Sequence, residues 1–186
     1  MSAGKRFRQE SHRLHDHGCW RAPPGHVVAV IDKGAVRFNV PRSWVVIPEP
    51  DVLNIYDVNP PDDNCRLGAS YLRLPPNIDW TGLPLPQLLG SAGRADPERR
   101  QHGETANLER PGIQIVWAEF HFEDSREHRQ ARSRVAVARG SELQALVTLD
   151  YWPEDAHRAE PVWAEIMRSI ELARYVEDPT EGGVVH

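Results

Sequence analysis

Cysteine is nearly missing: Cys19 and Cys65 are the only two in 186 residues. Two thiols do not make the disulfide framework of a small secreted domain, and they are expected to stay reduced. Lysine is as scarce, since only Lys5 and Lys33 among 22 basic residues are not arginine. No segment approaches the ~20 apolar residues that a membrane-spanning helix needs. The basic opening Met1-Ser2-Ala3-Gly4-Lys5-Arg6-Phe7-Arg8 runs into no apolar stretch, so no secretory signal is expected. Also missing are a Gly-rich phosphate loop, a nucleophile elbow and a His-Glu-x-x-His helix. Together these absences predict a cytoplasmic, non-enzymatic protein. The net charge of −5 argues against a nucleic-acid partner.

What remains is ordinary globular material, 40% hydrophobic and 26% charged. The length suits one domain over residues 26–175, with an arm at 1–25 and a tail at 176–186. Residues 27–31 and 35–40 flank Asp32-Lys33-Gly34, a β-hairpin signal. Further strands are expected at 43–47, 52–58 and 65–74, broken by proline and by the turn cluster Asn59-Pro60-Pro61-Asp62-Asp63-Asn64. Residues 83–89 read as a turn or two of helix, and Asp96-Pro97-Glu98 as the start of a short polar one. Three long strands follow at 113–122, 132–138 and 143–151. Ala159, Val162, Trp163, Ile166, Met167 and Ile170 then recur at the spacing of an amphipathic helix. Strand runs with flanking helices predict an α+β fold: an antiparallel β-sheet flanked by helices, an α/β/α sandwich.

Val36-Arg37-Phe38-Asn39-Val40-Pro41-Arg42-Ser43-Trp44 resembles the entry motif of the PsbP-like superfamily. That group includes the photosystem extrinsic subunit PsbP, the Ran-interacting Mog protein and bacterial DcrB-like domains. Ile115-Val116-Trp117-Ala118-Glu119-Phe120 is similar to its central strand. The run from Glu160 through Ile170 and Leu172 is similar to its closing helix. The resemblance spans about residues 27–173 and implies an antiparallel sheet between helices with a binding or assembly role, in some relatives that of a chaperone. It carries no partner-binding residues over.

Candidate sites are therefore read from residue chemistry. Arg132 and Arg134 share one face of a strand, and a basic stripe there would suit an acidic protein partner. Arg66 and Arg73 join the stripe if their strand lies alongside. Trp80 and Trp152 fall at element ends, where exposed tryptophan anchors interfaces. His12, His15, His17 and Cys19 offer four donors of the type zinc takes, with His26 near them; the alternative is a solvated basic arm. No other cofactor is expected. His121, Asp124 and His128 surround a hairpin, and Asp57, Asp62 and Asp63 surround the Pro-Pro turn, where hydrogen bonding to the backbone is the expected duty. Cys65 follows acids, the wrong setting for a reactive thiolate. The alternatives to a protein-binding module are a metal-binding protein using the arm, or a small enzyme without a recognisable motif.

Overall fold

A computed structural model describes residues 10–12, 21–49, 51–93 and 99–177. Their elements are β1 (His26–Ile31), β2 (Val36–Pro41), β3 (Val45–Pro48), β4 (Leu53–Tyr56), β5 (Cys65–Arg73), α1 (Leu85–Gly93), β6 (Arg100–Arg110), β7 (Ile113–Asp124), β8 (Arg129–Gly140), β9 (Leu143–Tyr151), α2 (Ala156–Ser169) and β10 (Glu171–Leu172). Seven strands form one antiparallel sheet in the order β3-β4-β5-β9-β8-β7-β6. A small sheet, β1-β2-β10, lies apart from it.

Strand periodicity decides the two faces. Side chains alternate across a strand, so Ile115, Ala136, Val147 and Leu67 point one way and Val116, Val135 and Val137 the other. The first face is covered by α2 together with the β1–β2 hairpin. Trp163, Ile166 and Phe38 are fully enclosed there, each contributing roughly 1.5–3 kcal/mol through removal from water. Trp163 meets Trp117 edge to face at 5.7 Å between ring centres. Pro161 sits on the exposed side of α2, where the carbonyl its ring leaves unpaired still meets water.

Among the described residues the opposite face carries α1, whose Leu85 and Leu89 pack on Val116, Phe120, Val135 and Val137. The expected sandwich is thus only partly present. Among the described residues one face has a helix and a second sheet, and the other a nine-residue helix over part of its width.

Residues 94–98, and with them the expected helix start at Asp96, lie outside the described residues. The chain beyond is strand, not helix: β6 extends over 11 residues and, among the described residues, pairs with β7 alone. Being an edge strand, it needs no apolar face, and its charged residues discourage further pairing. That polarity hides it from a pattern search. A register shift between His102 and Ala106 interrupts it, with Gly103 at φ +74°. Arg110 at its far end donates to the carbonyls of Arg168 and Ile170, which α2 leaves unpaired at its C-terminus. At the end of the domain, Val176 is buried and its N–H donates to the Lys33 carbonyl.

Candidate functional site

Period-two alternation carries Ile113, Ile115 and Trp117 into the core and then, in the same phase, Glu119 and His121. The neighbouring strands do likewise. Register sets Arg134 opposite Glu119, and Arg132 opposite both His121 and Tyr151. At this end of the sheet the apolar face becomes a charged shelf beside the start of α2.

Glu119 is its centre. Its carboxylate accepts from Arg134 Nε at 3.0 Å, from the Tyr151 hydroxyl at 2.7 Å and from His121 Nε2 at 2.9 Å. Arg132 Nη1 stands at 3.9 Å. Arg134 also faces Glu160 of α2 at 3.5 Å and lies 5.7 Å from the Trp117 ring and 5.8 Å from the Tyr151 ring. His102 of β6 stacks on His121, with 4.2 Å between ring centres.

Burial by itself would raise the Glu119 pKa. The bonds from His121, Tyr151 and Arg134, with the Arg134 charge, override it and hold the carboxyl at about 2. Burial and the bond to Glu119 push Tyr151 up to about 12. Near pH 7 Glu119 is thereby held ionised and Tyr151 protonated. The arrangement holds charge in place.

Arg132 and Arg134 do come together, though not as a solvated stripe. Arg134 is only 13% exposed, because Glu119 gives it a counter-ion inside the fold, while Arg132 stays 34% exposed at the rim. Arg66 and Arg73 do not join them. β9 separates β5 from β8, and Arg66 faces the other side, bonded to Asn54. Trp152 follows Tyr151 and lies beside the shelf, with the Arg129 guanidinium 4.0 Å over its ring. Trp80 is on the α1 side; its indole donates to the Pro75 carbonyl and its own carbonyl accepts from Arg139. His12 bonds Glu10 at 3.2 Å, while His15, His17 and Cys19 lie outside the described residues. Among the described residues no cluster of three or more His, Cys, Asp or Glu side chains is placed to hold a metal.

The hairpin and turn acids serve the backbone. Asp124 accepts from the N–H groups of Arg126 and Glu127. Asp57, buried, accepts from those of Val58, Asn64 and Cys65, and its other oxygen from Arg158 at 2.9 Å. Cys65 is fully buried; burial, then the Asp57 charge, pushes its thiol to about 12. In a Cys19→Ser background Cys65 should therefore react with an aromatic disulfide reagent only at the rate of unfolding. Prompt labelling of the folded protein at neutral pH would contradict this burial.

Sequence reading passed over Glu119, Tyr151 and His102. The signal was available for Glu119: an acid in the inward phase of a strand requires a cation on the neighbouring strand.

An antiparallel α+β domain with a helix-and-hairpin layer over one face is a fold shared with solved structures of PsbP-like and Mog1-like proteins. The solved structure of CyanoP, the PsbP of Synechocystis sp. PCC 6803, matches at a TM-score of 0.57 and 12% identity, over 81% of this chain and 94% of that one. The Saccharomyces cerevisiae Ran-binding protein Mog1p matches at a TM-score of 0.54 and 8% identity, over 79% and 95%. Within that fold the chain belongs to the Alr1449 family, which matches residues 27–176. The Nostoc protein "Uncharacterized protein alr1449" is 41% identical over 165 residues, covering 88% of this chain and 85% of the relative.

Proposed function

We propose that this protein is a cytoplasmic, non-enzymatic protein-binding module with an assembly or chaperone-like role, reading an acidic segment of its partner at the shelf. The observation that carries this is the loosely paired, rim-exposed Arg132 beside Glu119. Glu119 and Glu160 both answer Arg134, while Arg132, 34% exposed at the rim, has only a 3.9 Å approach to Glu119. The half-buried ring of Trp152 adds apolar area of the kind interfaces use. A protein-binding role also accords with the structural relative described as Ran-binding.

The test uses the full chain and a fluorescent peptide of about twelve Glu and Asp residues, read by anisotropy. Binding should weaken between low and physiological salt, and Arg132→Ala should weaken it by about 3–10-fold with the melting temperature unchanged, as expected for a rim charge. Equal binding of a lysine-rich peptide, or indifference to Arg132→Ala, would remove the reading.

A further inference from the structure

The second surface lies on the opposite face of the large sheet. A helix about 10 Å wide spans only two strands spaced roughly 4.8 Å apart. Accordingly α1 packs chiefly on β7 and β8, with its edge on β6, and leaves Leu72 of β5 and Gln144 of β9 beyond its flank. Between its flank and the bare strands is a cleft of about 270 Å³. Leu88 and Ala92 form the helix wall, Val137 and Leu146 the floor, and Leu72 and Gln144 the far side. Leu72 is 49% exposed, which costs the free protein solvation without serving the core.

Charge adds a second, independent feature. Gln144 accepts from Arg139 Nε and Nη2 at 3.3 and 2.9 Å, and Arg139 Nη1 donates to the carbonyls of Trp80 and Leu83 at 2.8 and 3.0 Å. All four bonds end on neutral acceptors. A half-buried guanidinium beside an apolar cleft is thus held in place without a carboxylate among its bonded partners. At about 270 Å³ the cleft has room for one large side chain, and the guanidinium beside it favours an acid as that side chain's neighbour.

We infer that this cleft docks a segment of a partner protein that inserts one large apolar side chain and sets an aspartate or glutamate within about a turn of it against Arg139. The inference rests on the protein-binding reading in class, but it uses a different surface from the shelf. Leu72, Leu146 and Leu88 would take the apolar anchor and Arg139 the acid, without moving from its carbonyl bonds. Large apolar anchors that exclude water on docking carry most of the affinity of an interface.

The experiment is selection of random peptides of about twelve residues, displayed on phage, against the purified full chain. Recovered peptides should share a Leu, Phe or Trp with an acid within about four positions. Synthetic copies should lose affinity about ten-fold or more on Leu72→Glu, and likewise on Ala92→Glu from the helix wall, while Arg132→Ala leaves them unchanged. Using both walls guards against one variant disturbing the fold, and thermal melts identify which has. Recovery of no peptide, a consensus without the acid, or indifference to both variants overturns the inference. So does binding of decanoate in the cleft with no peptide recovered. Peptides lost on Arg132→Ala but not on Leu72→Glu map to the shelf; they leave the protein-binding reading standing and overturn the cleft. The reverse pattern, with the acidic probe not bound, removes the shelf alone.

Discussion

Glu119→Gln is expected to lower stability at neutral pH by ~2–4 kcal/mol, since removing one partner of an enclosed ion pair strands the other. Arg134, 13% exposed, would keep only Glu160 at 3.5 Å. The effect carries a pH signature. Glu119 titrates at about 2 in the folded protein against an ordinary 4.5. Its folded pKa is depressed, so its contribution is complete above about pH 4.5 and is lost as pH falls toward 2. Urea titrations of the two proteins should therefore differ most at pH 5 and above and converge on acidification, to within ~0.5 kcal/mol near pH 2. A gap that stayed constant down to pH 2 would show that Glu119 acts through packing, not charge.

Gly34→Ala is expected to be at least as costly. Gly34 has φ +107° in the β1–β2 turn, and an added Cβ would stand 2.0 Å from the Arg174 carbonyl oxygen and 3.0 Å from Tyr175 Cα. Both are backbone atoms, so no side chain can swing aside. The segment is pinned on both sides by Ala173 N–H to Ala35 carbonyl at 3.0 Å and Val176 N–H to Lys33 carbonyl at 2.9 Å. Dihedral strain of ~1–3 kcal/mol and overpacking of ~1–3 kcal/mol together predict a loss of ~2–6 kcal/mol. Chemical denaturation measures it directly; a loss below ~1 kcal/mol would mean that the chain after α2 does not dock where it is described.

The hairpin at Gly34 was legible as a turn, but not as a docking point. A turn signal is local, whereas the carbonyl that excludes a side chain lies 140 residues away in the chain. The same division runs through the fold. The three long strands and α2 declare themselves because burial forces periodic apolar positions onto them. β6 does not, because an edge strand buries little. The small sheet's closure by β10 is equally silent, since two residues carry no period. At the site, Arg132 and Arg134 could be placed on one face by counting, but their inequality could not. Exposure separates them only once Glu119, His121 and Tyr151 arrive from neighbouring strands. The cleft needs tertiary knowledge of another kind, namely how far α1 falls short of the sheet's width.

The register Glu171–Arg37 and Leu172–Val36 has a consequence for synthesis on the ribosome. Arg37 binds Glu171 at 2.5 Å and Asn39 binds Glu165 at 2.6 Å, so the hairpin made first is completed by residues made more than 120 positions later. At ~5–20 residues per second, the apolar face of β1–β2 waits several seconds for its cover. During that wait Phe38 and Val40 are what a nascent-chain chaperone would meet, and α2 with its following strand releases them.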